Sequence, residues 1–345
     1  MTKTGQPPRC ISAIRWLEAS GALALLGALF VAAAIGIPGA QAQTYTVLYR
    51  FKGSPTDGAH PEYGHLIADS AGNLYGTTEG GGASNAGVVF KVDLKTVETV
   101  LYSFTGGADG ANPYSGLIRD SAGNFYGTTK SGGASNAGVV FKLDTAGTET
   151  VLHSFTGGAD GANPYAGLIR DSAGNLYGTT EAGGVSNFGV VFKLDKTGET
   201  VLHSFTGGAD GANPYAGLLQ DSAGNLYGTT LEGGTNDIGV VFKVDTTGTE
   251  TVLYSFTIRN GKYPYAGLIA DPAGNLYGTT ANGGLSGLGV VFKLDTTGTE
   301  TVLYNLTGGD NGASPVASVI RDSAGNLYGT VPNANFGGLI FRIQP

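Results

Sequence analysis

Asp171-Ser172-Ala173-Gly174-Asn175-Leu176-Tyr177-Gly178-Thr179-Thr180 is one of six copies of a single decapeptide pattern in this chain. The copies carry their first glycine at Gly72, Gly123, Gly174, Gly224, Gly274 and Gly325, spaced 51, 51, 50, 50 and 51 residues apart. A fixed period of that length is the mark of propeller blades or solenoid units. Within the quoted stretch, Asp171 to Gly174 reads as a turn, with glycine free to take positive φ. Asn175 to Thr180 then reads as a strand.

Working outward from it, Ala166 to Arg170 is a short strand before the turn. After a glycine-rich loop comes Gly189-Val190-Val191-Phe192-Lys193-Leu194-Asp195, a continuous apolar run bounded by turn residues. Lys196-Thr197-Gly198 turns the chain again, into Glu199 to Phe205. Each repeat therefore holds four short strands and no helical periodicity. Continuous runs such as Val190-Val191-Phe192 suit a sheet covered on both faces, as blades are by their neighbours. Glycine supplies 60 of the 345 residues, well over twice the usual share of about 7%. That composition fits many tight turns and opposes a helical protein.

The two ends of the chain decide between a ring and a solenoid. Tyr45-Thr46-Val47-Leu48-Tyr49-Arg50-Phe51 copies the fourth strand, whereas Gly338 to Ile343 copies the third. The last repeat lacks a fourth strand and the N-terminus carries a spare one. The spacing predicts an all-β, six-bladed β-propeller of four-stranded blades, closed by the N-terminal strand pairing with the last blade. An open solenoid would leave an unpaired edge, an aggregation hazard.

Ahead of the repeats, Lys3, Arg9 and Arg15 form a positive region, Gly21 to Ile37 an apolar run, and Ala40-Gln41-Ala42 a cleavage-type tripeptide. The expected organisation is a signal peptide over 1–42 and a six-bladed β-propeller over 43–345. An uncleaved anchor is the alternative, because the apolar run is slightly long for a cleaved signal and slightly short for a membrane span. Cys10 lacks a lipoprotein box. Cleavage would remove the only Met, Cys and Trp, so disulfide and thiol chemistry drop out. Loss of Lys3, Arg9, Arg15 and Glu18 takes the net charge from −8 to −10. No basic patch stands out, so nucleic acid is not an expected partner. A secreted or periplasmic, monomeric protein with no membrane span after cleavage is expected.

The D-S-A-G-N-L-Y-G-T-T hairpin, followed by G-G and G-V-V-F-K-L-D, resembles the tandem repeat of bacterial GloVer proteins, the choice-of-anchor group, over residues 44 to 345. It is similar, more loosely, to the hairpin of NHL-type propellers. The resemblance implies an extracytoplasmic propeller, often with a C-terminal anchoring module. This chain departs from that pattern in ending at Pro345 directly after a blade strand.

The long loops of one face are where a site is expected, since binding residues concentrate on loops held by a rigid scaffold. Tyr63, Tyr114, Tyr165, Tyr215 and Tyr265 open the first strand of five blades, with Val316 in the sixth. On an innermost strand they could ring a channel mouth and offer aromatic faces to a carbohydrate or protein ligand; the competing reading is packing between blades. Asp109, Asp160 and Asp210 in the D-G-A-x-P loops complete the expected ligand-binding set. A carboxylate beside carbonyl-rich glycine could take calcium, but Asp-Gly is an ordinary turn pair and no metal spacing is present, so no cofactor is expected. A second tyrosine set (Tyr75, Tyr126, Tyr177, Tyr227, Tyr277 and Tyr328) reads as core.

His153 and His203 share a repeat position with Tyr49, Tyr102, Tyr254 and Tyr304, which marks that position as structural. His60, Glu62 and His65, unique to the first unit, are the one irregularity resembling an acid–base set. No nucleophile elbow, phosphate loop or metalloprotease motif occurs. Near-identical blades present one surface several times, which favours avid binding. An extracytoplasmic binding or scaffold module, more readily than an enzyme, is the expected function. The alternatives are a propeller lyase or lactonase using His60 and His65 with a channel metal, and a purely structural envelope protein.

Overall fold

The computed structural model describes residues 47–61, 64–334 and 337–344. The expected leader, Glu62 and Tyr63 lie outside the described residues. Five antiparallel four-stranded sheets and a sixth of three strands follow one another along the chain, each in simple sequence order. Blade three shows the plan: Ile169–Arg170, Leu176–Thr180, Val190–Asp195 and Gly198–Ser204. The fold is the six-bladed β-propeller that the period predicts.

The physical reason for the repeated decapeptide lies in its aspartate. Asp171 Oδ1 accepts the Asn175 backbone N–H at 2.8 Å, and Oδ2 accepts Asn175 Nδ2 at 2.7 Å and the Tyr177 hydroxyl at 3.1 Å. Gly174 sits at φ +93°, a conformation glycine takes without steric cost. The turn and the following strand are thus clamped by one carboxylate. The same tyrosine–aspartate bond recurs in all six blades at 2.9–3.1 Å. It explains why the second tyrosine set is invariant across the repeats. Gly178 is required for another reason: a Cβ there would lie 2.7 Å from Phe192 Cζ on the neighbouring strand.

Packing runs from blade to blade. The third-strand residues Val190, Val191 and Phe192 are fully buried, as are their counterparts in blades two, four and five. In blades one to four the phenylalanine after the fourth strand meets the third-strand phenylalanine of the next blade edge-on. Phe104–Phe141, Phe155–Phe192, Phe205–Phe242 and Phe256–Phe292 lie at 5.1–5.2 Å between centroids. Such pairs contribute roughly 0.5–1.5 kcal/mol each beyond the area they bury.

Closure takes a different form from the expected strand pairing. Val47 to Phe51 is not strand, and the sixth blade has three strands, Ile320–Arg321, Leu327–Ala334 and Gly337–Ile343. The segment is held by side chains instead. Tyr49 and Phe51 pack on Val88, Phe90 and Val92 of blade one, with Phe51–Phe90 at 4.9 Å. It therefore gives blade one what the other fourth strands give their neighbours, and among the described residues no ladder joins it to the last blade. The sixth blade pays in exposure: Ile340 is 79% exposed, whereas its five repeat counterparts, Val89, Val140, Val191, Val241 and Val291, are at 0%.

Candidate functional site

The tyrosines stand four residues before the first strands and meet across blades. Tyr114 and Tyr165 are 5.0 Å apart edge-on, Tyr165 and Tyr215 stack at 4.3 Å, and Tyr215 and Tyr265 meet edge-on at 5.5 Å. Tyr114 and Tyr215, two blades apart, are 6.3 Å apart. The rings converge on a common axis rather than wedging separately between blades. Tyr114, Tyr165 and Tyr215 are half-buried and Tyr265 is 37% exposed. A half-exposed aromatic cluster of this size offers apolar faces with polar hydroxyl tips.

The loops entering the cluster are built alike. Asn112, Asn163 and Asn213 take φ of 55–56° and donate Nδ2 to the carbonyls of Glu79, Lys130 and Glu181 of the preceding blade. His60 occupies the same corner at φ 60°, and its carbonyl accepts the Glu79 N–H as the Asn112 carbonyl accepts that of Lys130. His60 is thus a variant of a structural corner. His65 lies against Gly116 of the next blade.

Asp109, Asp160 and Asp210, in the loops that lead to the tyrosines, make their hydrogen bonds back toward the outer strand. Asp109 Oδ2 accepts the Tyr102 hydroxyl at 2.9 Å and the Thr105 N–H at 2.8 Å. Asp160 and Asp210 accept the N–H and hydroxyl of Thr156 and Thr206. His153 Nε2 lies 3.3 Å from Asp160 Oδ2, and His203 Nε2 lies 3.4 Å from Asp210 Oδ2. Burial holds both imidazoles below the usual histidine range, against the pull of the aspartates. The histidines therefore stand where Tyr102 stands, as seam packing. Among the described residues, no three His, Cys, Asp or Glu side chains gather as a metal site.

Each seam adds a glutamate that sequence reasoning missed. Burial, with Asp109 alongside, pushes the Glu149 carboxyl up to about 7; Glu199 beside Asp160 and Glu250 beside Asp210 rise likewise to about 7. Oε1 of Glu98, Glu149, Glu199, Glu250 and Glu300 is buried without a hydrogen-bond partner. At the seam where asparagine replaces aspartate, Asn260 Nδ2 donates to Glu300 Oε2 at 2.6 Å. Tyr49, Asp57 and Glu98 repeat the arrangement at the N-terminal segment, with the Tyr49 hydroxyl donating to Asp57 at 2.8 Å.

A second missed column brings one residue, Lys130, to the tyrosines. The residue following the Thr-Thr pair is Glu79, Lys130, Glu181, Leu231 and Ala281 in blades one to five. Lys130 Nζ lies 4.7 Å from the Tyr165 ring centroid and 5.8 Å from that of Tyr114. The column's variation in charge between otherwise similar repeats was the available signal.

The Gloeobacter/Verrucomicrobia repeat profile matches residues 38–220 and 196–345. Among solved structures, the chain is similar to an extracellular domain described as belonging to a one-component system from B. thetaiotaomicron. The TM-score is 0.52 at 16% identity, covering 82% of this chain and 35% of that one. It is also similar to PorZ, a surface component of the type-IX secretion system of Porphyromonas gingivalis. There the TM-score is 0.51 at 16% identity, covering 84% of this chain and 41% of that one. The chain thus spans well under half the length of either, and at such identity the likeness shows the fold. No curated protein matches the sequence.

Proposed function

The chain belongs to the Gloeobacter/Verrucomicrobia repeat family, and we propose that it is an extracytoplasmic binding module whose ligand surface is the tyrosine mouth. The observation that carries this reading is the convergence of Tyr114, Tyr165, Tyr215 and Tyr265, half-exposed, on one axis. Four rings from four blades supply a rigid apolar platform at low entropy cost, which suits a glycan or peptide face. Export is supported by the charged, apolar and small-residue order of residues 1–42. The names of the two structural neighbours, an extracellular domain and a surface component, agree with it. Among the described residues, no helix is long and apolar enough to cross a membrane.

The test is a glycan and peptide array probed with residues 43–345. Binding that survives His153→Tyr but is lost in the Tyr165→Ala/Tyr215→Ala double variant is expected. Binding indifferent to that pair, in a variant that still unfolds cooperatively, would place the ligand elsewhere.

A further inference from the structure

The mouth already holds one cation of its own. The Lys130 ammonium lies over Tyr165 and Tyr114 at distances where ring quadrupoles attract positive charge. The Tyr165 hydroxyl foremost, then the Glu79 and Glu181 carboxylates, hold that ammonium above its usual range, although partial burial opposes them. An aromatic and carboxylate surround that stabilises one ammonium is chemically suited to a second.

The next blade carries a carboxylate in place of that lysine. Glu181 takes the Lys130 position one repeat on, following Thr179-Thr180 as Lys130 follows Thr128-Thr129. That shift by one blade sets it in the sector of the stacked Tyr165 and Tyr215. Among the described residues, no lysine, arginine or histidine lies within 4.0 Å of its carboxylate. Burial raises the Glu181 carboxyl, Lys130 partly offsets this, and Glu232 adds to it. Leu231 and Ala281 occupy the equivalent positions beyond, so this column passes from charged to apolar side chains toward blades four and five, which carry Tyr215 and Tyr265.

Resting on the binding reading above, we propose that the mouth takes a protonated amino-sugar oligomer. Its ammonium lies beside Glu181, and its pyranose faces lie on Tyr215 and Tyr265. A ring-borne amine is favoured over a lysine side chain because lysine loses roughly 2 kcal/mol of rotamer entropy on being fixed. The net charge of −8 attracts cations and repels polyanions over a distance.

The experiment is calorimetric titration of the mature chain at pH 6.5 with a glucosamine tetramer and, separately, its fully N-acetylated form, which lacks the charge. The amine form should bind at least tenfold more tightly. Glu181→Gln should bring the two to parity, and Lys130→Ala should tighten the amine form by removing the resident competitor. Equal or tighter binding of the acetylated tetramer overturns the amine assignment while leaving the mouth as a binding surface. If neither tetramer binds, the assignment also falls. The binding reading falls with it only when the neutral glycans and peptides of the array fail as well.

Discussion

Raising the pH from 5 to 8 should destabilise this protein, because its seams bury carboxyl groups in pairs. Glu149, Glu199 and Glu250 each face an aspartate of the adjoining loop, and each has its carboxyl pushed from 4.5 up to about 7. Facing Glu149 are Asp109 and the Tyr102 hydroxyl; facing Glu199 and Glu250 are Asp160 with His153 and Asp210 with His203. A group whose pKa is higher in the folded state makes that state bind more protons. Its contribution is full below pH 4.5 and lost as pH rises through 7. A shift of that size corresponds to roughly 3.4 kcal/mol per group. These side chains are only half-buried, so solvent screening brings the figure nearer 1 kcal/mol each and about 3 kcal/mol for the three. His153 and His203, held low by burial, act in the opposite sense below about pH 6.5. A His153→Tyr/His203→Tyr background removes that opposition. The assay is urea unfolding at pH 5, 6, 7 and 8, read by far-UV circular dichroism. The midpoint should fall with pH in the parent and more steeply in the tyrosine background. It should flatten in the Glu149→Gln/Glu199→Gln/Glu250→Gln variant, whose amides can donate to aspartate as Asn260 donates to Glu300. Stability that is flat or rising from pH 5 to 8 in the tyrosine background would refute the seam argument.

Deleting residues 43–51 removes Tyr49 and Phe51, two half-buried aromatics on blade one. The loss should be about 2–3 kcal/mol, at half the value of full burial, and an unchanged melting temperature would contradict it. The His153→Tyr/His203→Tyr variant should remain within about 1 kcal/mol of the parent at pH 7, since Tyr102 and Tyr254 serve the same position; denaturant titration reads this. Tyr177→Phe removes one hydroxyl from the Asp171 clamp. It should cost about 1 kcal/mol in thermal unfolding, with no effect on ligand binding.

Most of the fold was legible because one period and one decapeptide carried it. The turn at Asp171 to Gly174 was readable from glycine alone, yet the reason for the aspartate and the tyrosine, a shared carboxylate clamp, appears only in three dimensions. The mutual contact of Tyr114, Tyr165, Tyr215 and Tyr265 follows from register, since one repeat position in successive blades lies on a common circle. The partners of Asp109 were not legible: it stands five residues before Tyr114, yet its carboxylate accepts from Tyr102 and Thr105, on the side of the preceding strand. Lys130 and Glu181 were overlooked for another reason. Attention to recurring residues passes over columns that vary, and only the cation–ring distances gave this one meaning. Ring closure was half legible: Phe51 found its partner Phe90, but among the described residues no backbone ladder to the last blade forms.

The central claim is that the tyrosine mouth, and no other surface, meets the ligand. The molecule carries its own control, because the clamp tyrosines Tyr75, Tyr126, Tyr177, Tyr227, Tyr277 and Tyr328 each donate to an aspartate. Tyrosine ring resonances, isotopically labelled and assigned by single Tyr→Phe variants, can be followed by NMR during titration with the tightest ligand from the array. Shifts confined to Tyr114, Tyr165, Tyr215 and Tyr265 are predicted, with the six clamp tyrosines unmoved. Shifts among the clamp tyrosines with a silent mouth would contradict the account.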